Sequence, residues 1–206
     1  MHKIQREIKR SAFSEKLTFF RQYLRQSAEI GAVCPSSPRL CELLVEQANV
    51  KDASLVVEVG SGSGAVTQIL LKKAPPSASI FLIEQNPVFT EILQKKFPSA
   101  NLIVGCASKL GEYLRDASAG PVGSVVSGLP WASLPGNIRL SLLDAIEANL
   151  APKGIFATFA YFGPHWLPKG RAFRKELRKR FVNVSSSRVE LLNLPPAFVY
   201  RAEKAA

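Results

Sequence analysis

The stretch Leu55-Val56-Val57-Glu58-Val59-Gly60-Ser61-Gly62-Ser63-Gly64 constrains this chain more than any other. A short apolar run rich in β-branched residues predicts a strand buried in a parallel sheet. The run carries an acid near its end, and three alternate glycines follow. Ala65 to Lys73 then has a helical pattern. Strand, glycine turn and helix open a βαβ unit, in which bare main chain at a helix N-terminus meets a polar or anionic ligand.

Two cofactors suit such a turn. The spacing Gly60-x-Gly62-x-x-Ala65 satisfies a loose dinucleotide fingerprint, which is weak alone. Glu58 decides against it. A carboxylate at the end of a buried strand needs a positive neighbour, and a pyrophosphate supplies the opposite. S-adenosylmethionine carries an ammonium and a sulfonium, so it is the expected cofactor. A glycine turn with no ligand is the bland alternative.

The 206 residues suffice for one domain with a short extension, and 47% hydrophobic content is that of a globular core. No apolar run reaches the roughly 18 residues a membrane span needs, and the N-terminus has no apolar signal core. Cys34, Cys41 and Cys106 lack metal-ligand spacing, and with only His2 and His165 no metal site is expected. Reduced thiols suggest a cytoplasmic setting. The charge is more telling: 27 Lys and Arg against 16 Asp and Glu, a net +11. That balance favours an anionic partner, a membrane surface or nucleic acid.

The charge is clustered. Lys3, Arg6, Lys9, Arg10, Lys16, Arg21 and Arg25 alternate at helical spacing with Ile4, Ile8, Leu17, Phe20 and Leu24, the pattern of a helix lying in a membrane interface. Residues 14–28 also suit packing on a core. Residues 1–50 are therefore expected to form basic amphipathic helices and a lid, and residues 51–206 the cofactor-binding domain. The small-residue loop Gly31 to Pro38 precedes a helix from Arg39 to Gln47, with Ser37 as its cap.

Strands are expected at Ser79–Glu84, Asn101–Val104, Val122–Ser127 and Ile155–Tyr161. Helices are expected from Pro87 to Lys96, over Leu110–Asp116 and Asn137–Leu150, and in the basic run Lys169–Arg180, which holds seven cations in twelve residues. Two closing strands, Arg180–Glu190 and Ala197–Arg201, are joined by a short link and so run antiparallel. Glu84, at the end of the second strand, suits ribose hydroxyls. Two stiff aromatic loops, Gly128-Leu129-Pro130-Trp131 and Phe162-Gly163-Pro164-His165-Trp166, follow strands four and five. They belong to the strand edge where open α/β sheets place their chemistry.

Glu58 to Gly64, Glu84 and the Ser127-Gly128-Leu129-Pro130 run resemble the motifs of class I S-adenosylmethionine-dependent methyltransferases. Phe19 to Leu24, Gly31 to Ser37, Ser133-Leu134-Pro135 and Leu192 to Ala197 extend the resemblance to bacterial phospholipid N-methyltransferases, a branch similar to rRNA adenine dimethylases. The resemblance implies a Rossmann-like α/β fold with a seven-stranded, mostly parallel sheet and an antiparallel last strand. It implies that Glu58, Gly60, Ser61, Gly62, Gly64, Glu84, Gln85, Ala107, Ser127 and Ser36 line the cofactor, with Gly128 beside the methyl group. An acid is often found after strand three to bind the adenine; here Cys106 stands in its place, and Ser108 or a carbonyl would substitute.

The resemblance also implies N-methylation of phosphatidylethanolamine and its mono- and dimethyl forms towards phosphatidylcholine, by an enzyme attached peripherally to the inner membrane face. Each added methyl makes a bulkier cation, which aromatic faces stabilise; Trp131, Tyr161, Trp166 and Tyr23 are candidates, with Trp131 favoured. Phe162 is better read as packing. Tyr23, Tyr161 and Tyr200 are candidate bases. Adenine N6-methylation is the alternative. It needs paired acceptors for a planar amine, usually an Asn or Asp at the position of Gly128, and the rRNA enzymes carry a further helical domain for which no room is expected here. A small-molecule methyltransferase is a third reading.

Overall fold

Residues Leu55–Val59 form strand β1, and all five are buried. Neighbours on both sides explain this. In the computed structural model, which describes residues 37–206, β1 lies between β2 (Ser79–Glu84) and β4 (Val122–Ser127), parallel to both. Outward from these lie β3 (Asn101–Val104), β5 (Leu150–Tyr161), β6 (Asn183–Ser186) and β7 (Ala197–Glu203), in the order β3-β2-β1-β4-β5-β7-β6. Only β7 runs against the rest, paired antiparallel with β5 and β6. This is the expected seven-stranded sheet. The expectations for residues 1–36, including the amphipathic helices, Tyr23 and Ser36, lie outside the described residues.

Alternation along β1 sends side chains to two helical layers. Val57 and Val59 join a core with Leu110 and Leu114 of α4 (Leu110–Asp116), Leu142, Leu143 and Ile146 of α5 (Gly136–Asn149), and Phe173 and Leu177 of α6 (Pro168–Arg180). On the other face, Val56 meets Leu40 and Leu44 of α1 (Pro38–Gln47) and Val66 and Leu70 of α2 (Ala65–Lys73). Helix α3 (Pro87–Lys96) connects β2 to β3 and buries Leu93.

Two helix starts follow directly from sequence. The Ser37 hydroxyl accepts the Leu40 N–H at 3.2 Å and opens α1; Asn86 Oδ1 accepts the Val88 N–H at 2.9 Å and opens α3. Both caps precede a proline at the first helical position, where a missing N–H costs nothing.

β7 runs two residues past its expected end, to Glu203, and three larger differences have physical causes. The compact unit begins at residue 36, not 51. Helix α1 belongs to the core, its C-terminal carbonyls held by Ser124 Oγ at 2.8 Å from Ala48 O and by Arg201 Nη1 at 2.8 Å from Gln47 O. β5 begins at Leu150 because the Pro152-Lys153-Gly154 turn stays within the strand, with a register shift between Val122 and Ser124 opposite. The strand expected over residues 180–190 shrinks to Asn183–Ser186, because Arg180 closes α6. Its guanidinium is held by Asp144, Glu147 and Glu176 at 2.7, 3.5 and 2.5 Å. No helix among the described residues is long and apolar enough to cross a membrane.

Leu70 is fully buried between α2 and the sheet. Leu70→Ala is expected to lower unfolding free energy by about 2–5 kcal/mol, measured by urea denaturation, without changing the secondary-structure content.

Candidate functional site

The glycine turn joins β1 to α2 at the C-terminal edge of the sheet. Gly60, Gly62 and Gly64 take φ values of 74°, 52° and 82°, a region that side chains disfavour. Glu84, at the end of β2, holds the turn in place. Its Oε2 accepts the Gly62 N–H at 2.9 Å, while Oε1 accepts the N–H groups of Gln85 at 2.9 Å and Asn86 at 2.8 Å. The carboxylate is buried, and three charge-assisted hydrogen bonds are what make a buried carboxylate tolerable.

A Cβ on Gly62 would meet nothing within 4 Å. The turn therefore presents open space beside bare backbone. The Ser61 hydroxyl is buried and lies against the Glu58 carboxyl, where it helps to stabilise the charged form. An open cradle of bare backbone fits a polar ligand lying along residues 60–64.

Glu58 points to the α1–α2 side. It is buried, and Thr67 Oγ1 donates to its Oε2 at 2.7 Å. Burial raises its pKa to about 8, against the Thr67 hydrogen bond, and the negative Glu84 adds to the rise. A cation beside it would favour the charged form. The same burial, with the Glu58 charge adding to it, pushes the Cys41 thiol up to about 11, so Cys41 is an unreactive core residue.

Gly128 begins the loop after β4. Its N–H donates to Val59 O at 3.0 Å, and a Cβ there would stand 2.7 Å from the Gly60 carbonyl oxygen. Leu129 reaches back over Gly60, whose own Cβ would lie 2.5 Å from Leu129 Cδ2. The loops after β1 and β4 thus touch through backbone at the position expected for the reacting atom.

The structure corrects the role expected of Trp131. Its side chain is 2% exposed and lies within the core. The ring stacks on Phe173 at 5.2 Å and meets Phe156 edge-on at 5.5 Å. Its Nε1–H donates to Ser127 Oγ at 3.1 Å, and the same oxygen accepts the Leu129 N–H at 3.2 Å. Trp131 and Ser127 are parts of the scaffold that shapes the Gly128 loop, and neither ring face is open to a cation. Tyr200 is likewise a core residue of β7, packed on Phe173 and Phe198; burial raises its pKa, which makes it a poor base. Phe162 and Trp166 lie exposed on the loop after β5.

Of the remaining candidates, Gln85 follows Glu84 at the end of β2, and Ala107 follows β3 beside the Cys106–Ser108 contact of 3.2 Å. Both are on the same sheet edge as the glycine turn. Tyr161 ends β5 at that edge, its ring edge-on to Phe159 at 5.5 Å. Residues that sequence reasoning passed over are Thr67, the partner of Glu58, and Leu129. A hydroxyl nine residues after a strand acid is a one-turn-down helix position, and it is legible only once the helix start is known. Among the described residues, no group of three His, Cys, Asp or Glu could hold a metal ion.

Residues 36–105, which carry this turn and Glu84, match the family model of ribosomal RNA adenine dimethylase. An ornithine lipid N-methyltransferase from Singulisphaera acidiphila is 26% identical over 185 residues, covering 88% of this chain and 92% of that protein. A ribosomal RNA small subunit methyltransferase A from Hydrogenobaculum is 30% identical over 108 residues. The chain covers only 40% of that relative's length, against 52% of its own. Among solved structures, the O-methyltransferase TomG from Streptomyces achromogenes, in complex with S-adenosylmethionine, superposes with a TM-score of 0.68. The identity is 17%, covering 94% of this chain and 89% of that one. An rRNA methylase from Streptococcus thermophilus gives 0.59 at 17% identity, covering 81% and 94%.

Two outcomes follow from this geometry. Because the folded carboxyl of Glu58 titrates above its unfolded value, its contribution is whole below about pH 4.5 and is lost as pH rises through about 8. Unfolding free energy should fall across that window, by up to about 1.4 kcal/mol per pH unit, and Glu58→Gln should flatten the slope in denaturation series. Trp131→Ala is expected to cost about 3–5 kcal/mol of stability, read as a lowered denaturation midpoint, instead of acting on turnover alone.

Proposed function

We propose that this chain, a class I S-adenosylmethionine-dependent methyltransferase, methylates the amine of a membrane-lipid head group. Phosphatidylethanolamine and its partly methylated forms, on the way to phosphatidylcholine, are the substrates that the sequence resemblance favours. The contact between Gly128 and the Gly60 carbonyl is the observation that carries the reading. A planar adenine amine needs side-chain acceptors beside the methyl group, and at 2.7 Å from a backbone oxygen this fold has no room for one. A tetrahedral lipid amine needs only space and exclusion of water. The lipid N-methyltransferase relative, aligned over 92% of its length, supports the same class. Because that relative's name specifies ornithine lipid, an ornithine head group is the second reading.

The donor contacts are proposed as follows. Gly60, Ser61, Gly62 and Gly64 line the cofactor with backbone, Glu58 offers its carboxyl to the cationic end, and Glu84, Gln85 and Ala107 flank the nucleoside. When bound, S-adenosylmethionine supplies an electrophilic methyl group on a sulfonium. The chain's part is to aim an unprotonated amine at that position and keep water out, the positioning that accounts for most of such an acceleration. Gly128 leaves the approach clear, and Tyr161 is the hydroxyl-bearing side chain at the adjoining strand end that is proposed to meet the amine proton. Attachment to the membrane through the basic N-terminus is proposed on charge pattern alone.

Labelled S-adenosylmethionine offered in parallel to phosphatidylethanolamine vesicles, ornithine-lipid vesicles and rRNA tests the reading. Label is expected in an extracted lipid; label in rRNA adenine with none in either lipid would overturn it. Gly128→Asn is expected to weaken cofactor binding about tenfold or more, since overpacking against backbone typically costs about 1–3 kcal/mol. Calorimetry checks this, and the variant should gain no activity on rRNA.

A further inference from the structure

Beside β6, at the far margin of the sheet, a cleft of about 100 Å³ is lined by Arg174 and Arg178 of α6, Ser185 and Ser186 of β6, His165 and Tyr200. Every polar side chain here is a donor or can act as one. Arg174 and Arg178 are one helical turn apart, so their like charges repel. Neither has a carboxylate or hydrogen-bond partner among the described residues. The contrast is on the same helix: Arg180 is held by three acids and Lys179 by Glu176. The acids gather on the α5 side of α6, and the β6 side is left positive. Both arginines reach Tyr200 electrostatically, while burial keeps its phenol protonated.

The walls above this cleft are apolar. His165 packs against Phe162, Trp166 and Phe198 at 5.4, 4.6 and 4.9 Å. Phe162, Trp166 and Leu167 are 49%, 59% and 59% exposed. The loop before β7 adjoins, with the Phe162 N–H donating to Pro196 O at 2.8 Å, and carries Leu191, Leu192 and Leu194 at 70%, 68% and 77%. Exposed aliphatic and aromatic groups over an unpaired cationic cleft match a bilayer interface in both polarity and charge.

We propose that this cleft binds the phosphate of an anionic lipid, with the Phe162–Leu167 and Leu191–Leu194 loops entering the bilayer around it. The lipid held there is not the one being methylated. β6 is three strand spacings from β4, about 14 Å, whereas an amine and its own phosphate in an ethanolamine head group are two carbons apart. The site is thus a second lipid contact that orients the sheet edge towards the membrane. It rests on the lipid-methylation reading only for the choice of a bilayer over a soluble phosphate.

The chain has two tryptophans, and Trp131 is buried, so a change in emission on adding vesicles reports Trp166. With phosphatidylglycerol vesicles a blue shift is expected; with phosphatidylcholine alone it should be much weaker. Arg174→Gln/Arg178→Gln should weaken the binding about tenfold more than the charge-matched pair Arg171→Gln/Lys175→Gln, the loss of charge-assisted hydrogen bonds over bulk attraction. Ser186→Asp, at an exposed position in the cleft, should mimic the first pair. Calorimetric S-adenosylmethionine binding should stay unchanged in all three. Equal loss in the two charge pairs would overturn the site. Binding of inorganic phosphate that depends on Arg174 and Arg178, with vesicle binding indifferent to them, would overturn the lipid as its source. Because the readout is binding, absence of lipid methylation with the Arg174/Arg178 dependence intact would count against the proposed reaction and not against this site.

Discussion

The Glu84 carboxylate holds the rest of the site in place. Three backbone N–H groups converge on it, one from the glycine turn and two from its own strand end. The turn has three glycines in left-handed geometry, and its one internal backbone bond runs from the Gly64 N–H to the Ser61 carbonyl at 3.0 Å. Without an acceptor at this position, the Gly62 N–H would lose its partner and the turn its fixed course. The bond also links β1 and β2 at their ends, where the sheet hydrogen bonds stop. One side chain therefore sets the shape of the cradle.

The second contact of the candidate site joins the loops after β1 and β4, with the Gly128 N–H donating to the Val59 carbonyl. Gly60 and Gly128 meet where the loops after β1 and β4 come together, and each position excludes a Cβ for its own reason, Leu129 in one case and a carbonyl in the other. Trp131 and Ser127 stand behind this contact. The indole, stacked on Phe173, fixes the Ser127 hydroxyl, and that hydroxyl takes the Leu129 N–H. An aromatic residue that looks like a cation cage in the sequence is instead the buried post on which the loop is hung. Its amphipathic ring is satisfied internally, with apolar faces in the core and its one polar atom paired.

Glu58 and the cleft beside β6 show opposite solutions to placing charge in this fold. Glu58 is driven towards its neutral form by burial, against the hydroxyls of Thr67 and Ser61, which suits a group that becomes charged when a cation arrives. Arg174 and Arg178 cannot neutralise, and they lie where water or an anion can reach them. Cations of α6 thus fall into a structural group, paired around Arg180, and the pair Arg174 and Arg178 turned towards β6.

Most of the fold was legible in the amino-acid sequence. Strands β1 to β4, helices α2 to α4 and the cap at Ser37 stand at or within a residue of where hydrophobic pattern, proline and capping residues put them. Those signals are local, acting within a few residues. The glycine turn with Glu58 and Glu84 was legible for the same reason, since strand-end acids and turn glycines are read at fixed spacing. What only the tertiary structure decided depends on residues far apart in the chain. It placed Trp131 in the core, because Phe156 and Phe173 arrive from β5 and α6 to surround it. It shortened the strand expected over residues 180–190 to Asn183–Ser186, because Arg180 stays in α6, held by acids of α5 and of its own helix. It joined α1 to the sheet through Ser124 and Arg201, moving the domain start to residue 36. It also separated paired from unpaired cations on one helix, a distinction absent from a run of seven basic residues, because which side of a helix meets a carboxylate is settled by packing.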